Sequence, residues 1–203
     1  MSKRCIVLGN MWSKNSCFNC KKDGCNYKHY LIDSSVFLET LEGDEAANCG
    51  KIINRVNRVY RGYVDIHVFG EIMKKLVKEQ GEYTYKINPF IPINILEGLS
   101  PQFTASIKYL LDNLKNFQFI ESDKVNLDIL NNLKSICTIC GDRDKRIISS
   151  AIHNKIDLIT LDPGFKNDEE NIRKVCSMHS INPINIYHLK KDRYILERLG
   201  LLG

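Results

Sequence analysis

Four acidic residues in this chain occupy positions from which they could act together. In DKRIISSAIHNKIDLITLD, residues 144 to 162, one aspartate opens a helix-like apolar pattern and another closes the strand-like pattern that follows it. A helix that returns into a strand folds back on itself, so Asp144 and Asp162 can meet. Asp33 ends the apolar run HYLI in the same way. Glu71 falls in what reads as the first turn of a helix, directly after the alternating stretch YVDIHV. Alone, each acid has a plain structural use, since a carboxylate suits the positive end of a helix dipole or caps a turn. Four of them at corresponding element ends would crowd one site and repel one another unless a cation neutralised them. Carboxylate oxygens are hard ligands, which suits Mg²⁺ or Mn²⁺. The chemistry such a site supports is assisted hydrolysis of a phosphodiester, with the ion activating a water and offsetting charge on the scissile phosphate.

Stepping the acids into place requires strands alternating with helices. Apolar runs at 29 to 33, 63 to 68, within FQFIES, in the second half of DKRIISSAIHNKIDLITLD and within INIYHLK read as strands. Helical spacing appears over 45 to 61, through Ile72, Met73, Leu76 and Val77, near 101 to 116, near 125 to 136, after Asp144 in the first half of DKRIISSAIHNKIDLITLD, and near 168 to 179. Ser34 or Ser35 would cap the first helix. The stretch from 83 to 100 carries two prolines and reads as a connection. This alternation predicts an α/β/α sandwich around a mostly parallel central sheet, in which ligands gather outside the carboxyl ends of the strands.

Composition sets the outer bounds. The chain has 203 residues, 43% of them apolar and 26% charged, which is enough for one sizeable core. No apolar run reaches membrane-spanning length and the first residues lack the pattern of a secretion signal, so a cytoplasmic protein without a membrane partner is expected. The formal net charge of +5 permits a polyanionic partner without requiring one. The chemistry-rich segment 1–29 differs in character from residues 30–203, and we read it as a small Cys-rich module preceding the main domain.

Four segments in order resemble the PIN-domain nucleases: LIDSSVFLE at 31 to 39, FGEIMKKL at 69 to 76, DKRIISSA at 144 to 151 and LITLDPGF at 158 to 165. The resemblance implies a divalent-metal-dependent endoribonuclease in which Asp33, Glu71, Asp144 and Asp162 hold one or two Mg²⁺ or Mn²⁺ ions. Ser35 and Thr160 match positions that hold small polar residues beside the acids, implying that they orient the ligands. The segment GDRD offers two acids; the register to Ala151 favours Asp144, and Asp142 is expected nearby as an outer ligand. RNA is the implied substrate, ribosomal or transfer RNA precursors among the options, and a homodimer the implied assembly. Two other readings stand beside this one. One is a non-catalytic module that binds RNA or protein; the other is the toxin ribonuclease of a toxin–antitoxin pair, against which the long middle segment counts.

The amino-terminal cysteines form a separate constellation. Cys17-x2-Cys20-x4-Cys25-x3-His29 supplies four groups of the kind that hold Zn²⁺. GCNYKH resembles the end of a CCCH zinc finger, although the spacing is closer to that family if Cys5 replaces Cys17. A third arrangement joins Cys17 and Cys20 to Cys137 and Cys140. Free thiols in a small core are the alternative to all three, and Cys49 and Cys176 read as plain core or surface thiols. Basic residues flank the acids in sequence. Lys51, Arg55 and Arg58 on one helix and Lys75 on the next are candidates to seat RNA phosphates, against the plainer reading of solvated helix faces. The histidines, His67 in a strand among them, read as structural.

Overall fold

The computed structural model describes residues 28–79, 112–114, 117–120 and 127–202. Five strands form its sheet: β1 (His29–Ile32), β2 (Arg61–Asp65), β3 (Gln118–Ile120), β4 (Asp157–Thr160) and β5 (Ile186–His188). The order is β3-β2-β1-β4-β5, and every pairing is parallel. The helices are α1 (Ser34–Glu42), α2 (Ala46–Val59), α3 (Ile66–Glu79), α4 (Leu127–Ile136), α5 (Asp142–Asn154), α6 (Pro163–Asn167), α7 (Glu169–Met178) and α8 (Arg193–Arg198). The expected α/β/α arrangement with a mostly parallel sheet is therefore the observed one. Among the described residues no helix is long and apolar enough to cross a membrane.

A parallel sheet covered on both faces needs strands apolar on both sides, and that is what the sequence supplies. Tyr30, Leu31 and Ile32 of β1 and Leu158 and Ile159 of β4 are fully buried. Tyr30 pairs with Gly62 on one side and Asp157 on the other, so β1 lies at the centre. Ile52, Ile53 and Val56 of α2, Ile147, Ile148 and Ile152 of α5, and Ile172 and Val175 of α7 bring their apolar faces to the same core. Phe37 and Phe117 meet edge to face there, with ring centroids 5.3 Å apart. Gly62 makes room for that pair: a Cβ at this position would stand 2.4 Å from Phe117 Cε1 and 2.8 Å from Val56 Cγ1.

Three boundaries differ from the expectation. The strand read over residues 63 to 68 stops at Asp65, and His67 is helical. The reason is local: Asp65 Oδ1 accepts the His67 amide at 2.8 Å, which starts α3 three residues earlier than the alternation suggests. Glu71 thus stands in the second turn of α3 and not the first. At α1 the N-cap is Asp33, with neither Ser34 nor Ser35 in that place. The segment PGFKN, to which the sequence reading assigned no element, is the short helix α6. Of the helix expected near 101 to 116, residues 112–114 are described and helical, and the remainder lies outside the described residues, as does the 83 to 100 connection.

The chain order explains how distant acids come to one edge. In a parallel α/β unit the helix runs back against its strands, so each helix begins where the strands end. α1 and α3 start at the carboxyl ends of β1 and β2, and α5 starts at that same edge before running down to β4. β1 and β4 are neighbours in the sheet while their connections run to opposite sides, which opens a crevice at their carboxyl ends.

Candidate active site

Asp33 lies at the centre of that crevice, immediately after β1. Its amide continues the ladder by donating to Ile159 O at 3.0 Å, and only 3% of the residue is exposed. Thr160 Oγ1 donates to Asp33 Oδ2 at 2.8 Å and Ser35 Oγ donates to the same oxygen at 2.5 Å. Burial drives the Asp33 carboxyl above its usual range; the two hydroxyls oppose that shift and the charge of Glu71 adds to it. A carboxylate so enclosed calls for a positive partner.

The loop after β4 is built around the same two hydroxyls. Thr160 Oγ1 accepts the Asp162 amide at 2.9 Å, and Ser35 Oγ accepts the Leu161 amide at 3.0 Å. Asp162 then caps α6, its Oδ1 accepting the Gly164 amide at 2.7 Å. Thr160 therefore links Asp33 to Asp162. Glu71 comes in from α3: Ser34 Oγ donates to Glu71 Oε2 at 2.8 Å and stands 3.4 Å from Asp33 Oδ1. Asp144 arrives in the first turn of α5, where its Oδ2 accepts the Gly141 amide at 3.0 Å. Its carboxyl is pushed up to about 6, first by burial, then by the charges of Asp33, Asp162 and Glu71, with the Gly141 amide pulling the other way. Asp144 thus feels the charges of the other three acids across the crevice.

Of the two acids in GDRD, Asp144 is turned toward the others. Asp142, expected as an outer ligand, instead has a side chain 80% exposed and lies 3.8 Å from Lys145 Nζ. The helical turn accounts for this, because residues two apart on a helix point in widely different directions. Among the described residues no three acidic, imidazole or thiol groups form a ready-made ion cage. Hydroxyls, amides and a guanidinium take up carboxylate oxygens instead.

That guanidinium belongs to Arg143, which the acid-based reading of the sequence passed over. Its Nη1 donates to Glu71 Oε1 at 2.7 Å. Two more acids were also passed over. Asp65 is fully buried and its Oδ2 accepts from Ser150 Oγ at 2.7 Å, fastening α5 to the start of α3. Asp168 is fully buried and its Oδ2 accepts the amides of Ile139 and Cys140 at 2.9 and 2.8 Å. It anchors the loop that delivers Asp144. Burial acts to raise the Asp168 carboxyl, but the Cys140 amide, Asn171 and the Ile139 amide outweigh it and hold the group below its ordinary range. Asp65 within a strand pattern and an acid opening a helix at 168 were the visible signals, and neither distinguishes an anchor from an ordinary cap.

The remaining candidates are placed as follows. Lys75 is exposed on α3 one turn beyond Glu71 and so lies on the same side of that helix. Lys51 and Arg55 are exposed on α2, and the side chain of Arg58 lies outside the described residues. Cys5, Cys17, Cys20 and Cys25 lie outside the described residues too. His29 opens β1, with Nδ1 2.8 Å from the Tyr63 hydroxyl. Cys137 and Cys140 are buried in the main core, and burial pushes the Cys137 thiol up to about 11 and the Cys140 thiol higher still. Buried neutral thiols are poor ligands as they stand. Cys49 and Cys176 are fully buried core thiols. His188 ends β5 with its Nδ1 accepting the amides of Lys190 and Lys191, and burial holds its ring below the usual range, which fits a structural role.

Comparison with known proteins agrees with this architecture. The fold is similar to a chain in the crystal structure of VapBC2 from Rickettsia felis bound to a DNA fragment from their promoter. There the TM-score is 0.52 at 13% identity, over 78% of this chain and 97% of that one. It is also similar to a chain of FitAcB from Neisseria gonorrhoeae, with TM-score 0.51 at 12% identity over 78% and 96%. At such identities the likeness concerns the fold. No curated protein sequence matches the chain. The PIN domain profile matches residues 30–170, from β1 into α7. That span is most of the molecule and contains all four acids, and by it the chain belongs to the PIN domain family.

Proposed function

We propose that this protein is a divalent-metal-dependent endoribonuclease whose site is formed by Asp33, Glu71, Asp144 and Asp162. Membership in a family of nucleases supports the class of reaction. The observation that carries the reading is the convergence of the four acids at the carboxyl ends of β1 and β4, strong enough to push Asp144 up to about 6. The donor set is all carboxylate oxygen, which fits Mg²⁺ or Mn²⁺, and the same four residues would hold the ion. When bound, such an ion supplies charge neutralisation at the scissile phosphate and activation of a water.

The chain's own residues do the rest. Ser35 and Thr160 fix the Asp33 carboxylate through Oδ2, so that its other oxygen keeps a set direction. Ser34 ties Glu71 to the same centre. The buried position of Asp33 excludes water, which strengthens every charge interaction there. Lys75, Lys51, Arg55 and Arg58 are proposed to steer the RNA backbone toward the site. Ribosomal or transfer RNA precursors are the proposed targets. The toxin ribonuclease reading is favoured by a separate observation, that the chain resembles members of the VapBC2 and FitAcB complexes in fold. A co-encoded protein that binds this chain and blocks cleavage would decide for it. Zinc at Cys17, Cys20, Cys25 and His29 is a further proposal that elemental analysis of the purified protein would test.

The deciding experiment is cleavage of labelled RNA with Mg²⁺ or Mn²⁺ by the wild type and by Asp33→Asn and Asp162→Asn. We expect cleavage that depends on the added ion and is lost in both variants while circular dichroism stays unchanged. Cleavage retained in both variants would reject the site.

A further inference from the structure

We propose that Arg143 is the residue that seats a substrate phosphate beside the acids, exchanging Glu71 for the RNA backbone when substrate binds. This rests on the nuclease reading and adds a residue and a role to it. Arg143 is the second residue of α5 and immediately precedes Asp144. Its side chain is 46% exposed, and its Nη1 rests on Glu71 Oε1 at 2.7 Å, on the rim of the crevice. A cation is thus held on the cluster itself, whereas Lys51 and Arg55 stand on another helix.

The pairing has the character of an exchangeable contact. Both partners are partly exposed, with Glu71 at 30%, and ion pairs in that setting are screened and weak. Nor is it the contact that fixes α5 in place, because the buried bond from Ser150 to Asp65 ties α5 to the end of β2, from which α3 begins. The guanidinium is a planar fork of five donors, and a phosphate matches two of them at once. If Glu71 turns its charge to a divalent ion, its attraction for Arg143 falls, and the fork is released at the place where a phosphodiester must lie to reach the acids.

The test is fluorescence anisotropy of a short single-stranded RNA in the non-cleaving Asp33→Asn background, titrated with salt at fixed Mg²⁺. Arg143→Gln is compared with Arg143→Lys and with Arg173→Gln. The last removes an exposed charge that is paired with Glu169 away from the site. We expect Arg143→Gln to weaken binding roughly tenfold and to flatten the salt dependence by about 0.7 in the log–log slope, the share of one phosphate on a single strand. Arg143→Lys should keep most of the slope, and Arg173→Gln should keep both slope and affinity. In the cleaving background Arg143→Gln should raise KM more than it lowers kcat. An Arg143→Gln protein that binds with the same affinity and slope as Arg173→Gln would overturn the proposal and leave the nuclease reading in place. Absence of RNA binding when Arg143 is intact would overturn both.

Discussion

Asp144→Asn should make the ion-free protein more stable at neutral and alkaline pH, although it removes a proposed ligand. In the folded chain this carboxyl is pushed from 3.8 to about 6 by burial and by the charges of Asp33, Asp162 and Glu71. Below about pH 3.8 the group is protonated in both folded and unfolded chains, so the substitution has no electrostatic effect. Between there and pH 6 the folded chain keeps a proton that the unfolded chain releases, and wild-type stability falls as pH rises. Above pH 6 the whole penalty is present. At about 1.36 kcal/mol per tenfold change, the interval sets a ceiling of about 3 kcal/mol. Solvent screening at the mouth of the crevice lowers the expected gain to about 1–2 kcal/mol. An asparagine oxygen can still accept the Gly141 amide, so the start of α5 is preserved. The assay is urea unfolding in EDTA at pH values on either side of the window, repeated with Mn²⁺. The variant should gain stability relative to wild type as pH rises. With Mn²⁺ at about a hundred times its Kd, the wild type should recover about 2.7 kcal/mol and the variant clearly less. Parallel pH profiles for the two proteins would refute the reasoning.

Two further substitutions probe the frame that delivers the acids. Asp168→Ala strands the buried amides of Ile139 and Cys140 and should cost about 3 kcal/mol in urea unfolding. Asp168→Asn, which retains an acceptor oxygen, should cost distinctly less; equal losses would mean that the amides are not what the residue serves. Gly62→Ala drives a Cβ into Phe117 and Val56 and should lower stability by about 1–3 kcal/mol without altering RNA affinity per folded molecule. A melting temperature unchanged from wild type would show that the aromatic pair yields freely.

The sheet and the placing of the acids could be read from sequence for one reason. Strand-to-helix alternation fixes both the class of fold and the edge at which residues such as Asp33 and Asp162 must lie. What escaped was decided by side-chain direction over one or two residues. Asp142 and Asp144 are chemically alike, yet α5 turns one to solvent and the other inward. Ser34 looked like a helix cap, and its hydroxyl in fact bridges toward Glu71 and Asp33. Asp65 ended β2 early because it captured the His67 amide, a local bond that overrode the alternation running through Val68. Arg143 was illegible for a different reason, since its partner lies 72 positions away on another helix.

The sheet order also dictates when during synthesis this site can exist. Asp33 and Thr160 touch across 127 positions of chain, and β1 gains its second neighbour only with β4. At ribosomal speeds the residues from Asp33 to Asp162 take on the order of ten seconds to emerge. Throughout that interval the nascent chain, beside the RNA of the ribosome, carries half of the proposed cleavage centre. Long-range strand pairing, which slows folding, thus acts here as a delay that withholds the proposed activity until β4 has emerged and paired with β1.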